Sequence, residues 1–226
     1  MTGLLQNLEQ AIAIVLLIKI AARILGIASW PDRPAPVPVP AIGLFALVAI
    51  PTAAQAIWPS VFGALRRDPH LITTHHEYWR LLTSMLVQDG GVAGAIFNLV
   101  TLAIVATLAA WFWGGPRTIG FFVVLGFVFD LMGVAYDQAG AGSSGATYGL
   151  VATIAGFALV RGSGRLRLGC AAALAFGGLI WAVGNIHGMA VVADGTLGAA
   201  YALAGAHPRR CYAASSTYPA AEQVSQ

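Results

Sequence analysis

Followed for its apolar and polar positions, the chain breaks into long apolar runs separated by short polar interruptions. The runs can be drawn over about Gln10 to Ala28, Ala41 to Trp58, Val92 to Trp113, Thr118 to Tyr136, Ser144 to Val160, Leu168 to Gly184 and Asn185 to Ala206. Each is close to the roughly twenty residues that a helix needs to cross a bilayer. The last two nearly abut, and are divided because a helix of about forty residues would far exceed that thickness. In lipid a spanning segment must satisfy its own backbone groups, which an α-helix does. The predicted fold class is therefore all-α: a polytopic membrane helix bundle with one N-terminal transmembrane helix added to a core of six spans.

Two stretches depart from the apolar pattern. Pro31, Pro34, Pro36, Pro38 and Pro40 make a stiff linker after the first span. Arg66 to Gly91 is the longest polar stretch and too amphipathic to cross lipid. The domains expected are 1–29, an N-terminal transmembrane helix; 30–40, the Pro-rich linker; 41–206, the six-span core; and 207–226, a disordered tail rich in Ser, Ala, Thr and Gln.

Composition supports this reading. Hydrophobic residues make up 58% of the 226 positions and charged ones 9%, against about 25% charged in soluble domains. The net charge of +3 comes from too few residues to imply a nucleic-acid partner. Cys170 and Cys211 lie far apart and imply no disulfide. His75-His76-Glu77 fails the zinc-protease pattern H-E-x-x-H, because Arg80 stands where the second histidine belongs. No metal and no cofactor are expected, and the surrounding partner is the lipid bilayer.

The arginines orient the chain. With the linker after the first span in the cytoplasm, Arg33, Arg117, Arg161, Arg165, Arg167, Arg209 and Arg210 lie inside, and only Arg66, Arg67 and Arg80 outside. Seven against three favours this topology. Lys19 and Arg23 would then snorkel to the inner face. The expected location is a bacterial cell membrane.

Candidate chemistry enters at Gly142-Ser143-Ser144-Gly145-Ala146-Thr147-Tyr148. Ser144 falls in the first turn of an apolar helix, where backbone N–H groups lack intrahelical partners and the helix dipole favours negative charge. Such amides can hold the oxyanion that forms when a serine attacks a carbonyl. Small residues also serve close helix packing, so the motif alone decides nothing. Topology adds the test: the spans that begin near Val92, Ser144 and Asn185 are co-directional, which brings Asn98, Ser144 and His187 to comparable depth near the outer face. From Ser144 to Arg161 the helix rises about 25 Å, which leaves the serine a little below that face.

Taken together, Trp79-Arg80 in the long loop, Phe97-Asn98, Gly142-Ser143-Ser144-Gly145 with Tyr148 four residues after the serine, and His187 in the last span resemble the rhomboid family of intramembrane serine proteases. The resemblance covers about Ala41 to Ala206. It implies a serine endopeptidase with a Ser-His dyad and no third acidic member, acting on transmembrane protein substrates. Ser144 would be the nucleophile, because it stands directly before Gly145 and one turn from Tyr148. His187 would be the base, Tyr148 would pack on the imidazole, and Asn98 would join the Ser144 amide at the oxyanion, with Gly142 and Gly145 as supporting small residues.

Three positions depart from the family pattern. Gly94 stands where a histidine is common, and Ala190 and Asp194 stand where small glycines are usual. Asp194 and Asp130, both inside spans, call for partners. Two rival readings share the hydropathy pattern: a catalytically inactive rhomboid-like protein that binds membrane partners, and a small ion-coupled transporter in which Asp130, Asp194 and His187 line a path.

Overall fold

The computed structural model describes residues 2–26, 36–205 and 207–208, and among them the structure is helical with no extended strand. Ten helices follow in chain order: α1 (Thr2–Ile24), α2 (Val39–Ile57), α3 (Ser60–Leu65), α4 (Pro69–His75), α5 (Arg80–Thr83), α6 (Gly91–Trp113), α7 (Gly115–Ala135), α8 (Ser144–Arg161), α9 (Gly164–Ala182) and α10 (Ile186–Leu203), with a 3-10 turn at Ser84–Leu86. Arg33 and most of the Pro-rich linker, and the tail from Arg209 with Cys211, lie outside the described residues.

Of the seven helices with eighteen or more residues, four are also apolar enough to cross a membrane: α2, α6, α7 and α9. They mark a multi-pass membrane protein. The other three expected spans, α1, α8 and α10, are helices of that length but less apolar, and α8 shows the physical reason. Every residue from Gly145 to Ala158 is buried by other helices, so this helix has no face to offer lipid and carries Gly, Ala and Thr instead of a leucine coat. It packs against α10, α7, α9, α6 and α1.

Small residues set how closely α8 and α10 approach. Gly156 lies directly against the carbonyl of Gly195, and Gly198 against that of Thr153, leaving no room for a methyl group at either glycine. Such close approach is how helices associate where water-driven burial is absent. At the far end of the bundle Arg161 closes α8 and donates to the Ala202 carbonyl at 2.7 Å, meeting the negative end of α10. Trp113, Phe112, Phe121, Phe157 and Tyr201 stack edge to face nearby. Buried Trp113 donates to Thr153 Oγ1 at 3.0 Å. These contacts make α6, α8 and α10 co-directional, with their N-termini at one end.

That N-terminal end is organised by the polar stretch. It folds into α4, α5 and the 3-10 turn, with His70, His75 and His76 exposed. Asp68 caps α4 by accepting from the Leu71 N–H at 3.2 Å; this bond, with the Arg66 guanidinium close by, holds its carboxyl below the usual range. Arg80 is buried beside exposed Trp79 and donates to the carbonyls of Gly63 and Arg66 and to Glu77. Arg67 is buried too. It pairs with Asp130 of α7, donates to the Gln138 carbonyl, and exchanges backbone bonds with Gly140. Asp130 accepts a second bond from Ser84 at 2.6 Å.

α1 begins at Thr2, about eight residues before the apolar run suggested, so Asn7, Glu9 and Gln10 belong to the helix. Its buried face, Ala13, Ile14, Leu17 and Ala21, packs on α8 and α9.

Candidate active site

The site grows from the start of α8. Ser143 precedes the helix without a side-chain cap, and the first helical bond runs from the Thr147 N–H to the Ser143 carbonyl. The N–H groups of Ser144, Gly145 and Ala146 stay outside that ladder. The approaching loop is pinned at two places: Gly142 N–H donates to the Ser84 carbonyl at 2.9 Å, and Ala141 N–H to Asp89 Oδ2 at 3.0 Å. Gly142 sits at φ +142°, a backbone that side chains rarely adopt.

Ser144 Oγ lies 2.9 Å from His187 Nε2. Ser143 points elsewhere, its buried hydroxyl 3.5 Å from Gln88 Nε2. The His187 ring is held on three sides. Tyr148 and Phe129 pack on it with centroids 5.2 Å away, and its Nδ1 stands 3.2 Å from Asn185 Oδ1. Phe129 also carries the Arg67 guanidinium 5.8 Å from its ring, so the ion pair and the imidazole flank one aromatic side chain.

Asn98 reaches the same region. Its Nδ2 donates to Gln88 Oε1 at 2.8 Å. Gln88 is fixed in turn by Gln55, which donates to the Gln88 carbonyl at 2.6 Å and accepts from its N–H at 2.9 Å. The space beside Gly142 is bounded by these groups: a methyl there would lie 3.5 Å from both Asn98 Nδ2 and Ser144 Oγ. An oxygen beside Ser144 therefore has room next to an amide donor only because residue 142 is glycine.

No protein-family model matches this chain, and no curated protein matches it. The geometry alone carries the reading.

A cavity of about 350 Å³ opens over Ser144, His187, Asn98 and Tyr148, with Asn7 and Gln10 of α1 as its opposite wall. Tyr148 Oη donates to the Gln10 carbonyl at 2.6 Å, which ties α1 to α8 at the site. Gly94 also lines this cavity, and a side chain there would press on the Asp89 carbonyl at 2.9 Å, so this loop is shaped around a glycine. A side chain at Gly145 would run into Phe129, so the close packing of α8 on α7 requires a glycine there.

Ser144, His187, Asn98, Tyr148 and Gly142 are thus brought together. Asp194 sits two turns further along α10 with its carboxylate against Gly149 of α8. Among the described residues no hydrogen-bond donor reaches it, although a carboxylate inside a span calls for a partner. Asp130, by contrast, has Arg67 and Ser84. Residues the sequence reading gave no role are Gln88, Asn185, Gln10 and Phe129. The one local signal among them was the asparagine of N-I-H-G, where Asn185 directly precedes the helix of His187.

Such an arrangement can activate a hydroxyl. A serine oxygen in contact with an imidazole nitrogen, beside free helix N-terminal amides and a side-chain amide donor, has the parts for attack on a carbonyl carbon.

Proposed function

We propose that the chain is an intramembrane serine endopeptidase of the rhomboid type, hydrolysing peptide bonds in or near transmembrane segments of membrane-protein substrates. The observation that carries this reading is the 2.9 Å contact between Ser144 Oγ and His187 Nε2 from two separate helices, inside a cavity that Asn98, Asn7 and Gln10 also line. On this proposal α1 and the core helices cross the membrane, and the Ser144 end faces the extracytoplasmic side.

In the mechanism, His187 Nε2 takes the proton of Ser144 Oγ as that oxygen bonds to the substrate carbonyl carbon. The negative oxygen develops beside the Ser144 N–H and Asn98 Nδ2, in the space Gly142 leaves open. His187 returns the proton to the departing amine, and the C–N bond breaks to leave an acyl-serine. Water then gives its proton to His187 and its hydroxyl to the carbonyl carbon; the bond from that carbon to Ser144 Oγ breaks as His187 returns the proton to Oγ, which releases the acid and restores both residues. A substrate helix buries its carbonyls in its own hydrogen bonds, so segments that unwind easily are favoured.

The test is Ser144→Ala in a purified chain supplied with a model transmembrane substrate. Cleavage should vanish with the melting midpoint unchanged, and a fluorophosphonate should label the parent chain but not the variant. Cleavage retained by the variant, or no labelling of the parent, removes the proposal.

A further inference from the structure

The end of the bundle opposite Ser144 carries a groove that the proposed chemistry leaves unused. It lies between the C-terminal half of α1 and the first turns of α9, encloses about 470 Å³, and has apolar walls that include Leu16, Leu166 and Phe176. Three cations line it: Lys19 and Arg23, one turn apart on α1, and Arg165 on α9. All three are exposed, and among the described residues none has an ion-pair or side-chain hydrogen-bond partner. Arg161 and Arg167, close by, are instead committed to backbone carbonyls.

Three converging unpaired cations over an apolar trough, in a membrane protein, match a ligand with an anionic head and hydrocarbon tails. We propose that this groove binds one anionic phospholipid. The phosphate lies among Lys19, Arg23 and Arg165, and the acyl chains run along the wall that continues to exposed Leu16 and Ile12. The cations supply the electrostatic attraction that anionic headgroups meet in basic pockets between transmembrane helices. Their aliphatic stems cover the apolar floor. Zwitterionic lipid lacks the net charge to compensate them.

Native mass spectrometry of the full chain during stepwise delipidation tests this, with phosphatidylglycerol and phosphatidylcholine as competing probes. One phosphatidylglycerol should persist in preference to phosphatidylcholine. Arg23→Gln/Arg165→Gln should retain it roughly thirtyfold less well, whereas the charge-matched Arg117→Gln/Arg167→Gln pair should keep it. Equal retention of the two lipids, or equal loss in both double variants, overturns the proposal. So does a thermal stabilisation by inorganic phosphate that equals that of the lipid, because it would make the groove a free-anion site.

A second inference rests on the endopeptidase reading and deepens it. Asn185 caps α10: its Oδ1 accepts from the His187 backbone N–H at 3.1 Å and faces His187 Nδ1 at 3.2 Å. The backbone donor fixes which way the amide points, because the reversed amide would set N–H against N–H. With only an oxygen to face, Nδ1 must carry the ring proton, which leaves Nε2 as the lone-pair nitrogen toward Ser144. Among the described residues buried Nδ2 of Asn185 has no partner, so this orientation is kept at the expense of a donor. We infer that Asn185 is the positioning residue that holds His187 in its base tautomer, as a third member beside the expected dyad.

The readout is the rate at which a fluorophosphonate labels Ser144. Asn185→Asp keeps both the cap and the acceptor and should label within about threefold of the parent. Asn185→Ser keeps a helix cap but is too short for Nδ1, and should label at least about tenfold more slowly at an unchanged melting midpoint. Asn185→Gly, also accepted at caps, serves if the serine variant melts early. Parent-like labelling of the shortened variants overturns the positioning role. A parent chain that does not label at all overturns the endopeptidase reading itself.

Discussion

Gly142 shows how a single missing methyl group shapes the candidate site. Its φ of +142° and the 3.3 Å that a Cβ would leave to Gln88 Oε1 both work against any larger residue. Gly142→Ala should therefore lower stability by about 1–3 kcal/mol through backbone strain. It should also cut substrate turnover by about a hundredfold by filling the oxyanion space. Asn98→Ala tests the donor itself: turnover should fall by about 10²–10³-fold, with stability lower by about 1–3 kcal/mol because buried Gln88 Oε1 loses its donor. If Asn98→Ala turns over substrate at the parent rate, Asn98 belongs to the Gln88 network alone. Ser144, Tyr148, Asn98 and His187 could be singled out from the sequence because a polar group inside an apolar run is conspicuous. Gln88 could not, since it stands in a polar stretch where another polar side chain draws no attention. Its partners Gln55 and Asn98 lie in different helices.

Between elements, the decisive joint is the one that fixes the polar stretch to α7. Arg67 and Asp130 are both almost fully buried, so removing either one leaves an uncompensated charge in the interior. Asp130→Ala should cost about 3–5 kcal/mol, and Arg67→Met a similar amount. The double variant Arg67→Met/Asp130→Leu should recover much of that loss, read from thermal unfolding in detergent. A double variant that loses as much stability as the two single variants added together would show that the pair contributes no coupling. The consequence reaches the site, because the Arg67 backbone pairs with Gly140 and its side chain holds the Gln138 carbonyl, both on the loop that leads into Ser144. The sequence marked Asp130 as needing a partner but left it unidentified. Arg67 is 63 residues away in a stretch that reads as solvated. Only the fold turns that arginine inward.

Across the whole molecule, the runs of apolar residues announced the long helices to within a few residues, except at the start of α1, because length and hydropathy are local properties. How each helix rotates about its own axis was not legible, since contacts distant in sequence set it: Gln10 meets Tyr148 across 138 residues and Asn185 across 175, which helps to hold α1 over the cavity. The same bundle is polarised. Arg161, Arg165, Arg23 and Lys19 gather at the end opposite Ser144, the end that the proposed orientation turns to the cytoplasm. Two exposed positions report the two ends: Tyr78 in the polar stretch beside the Ser144 end, and Ser163 in the turn between α8 and α9. In a Cys211→Ser background, with Cys170 buried in the bundle, a membrane-impermeant maleimide applied to intact cells should label Tyr78→Cys. Ser163→Cys should label only after permeabilisation. The reverse pattern would turn the cavity of Ser144 and His187 toward the cytoplasm, and substrates would then have to present their cleavable segments from that side.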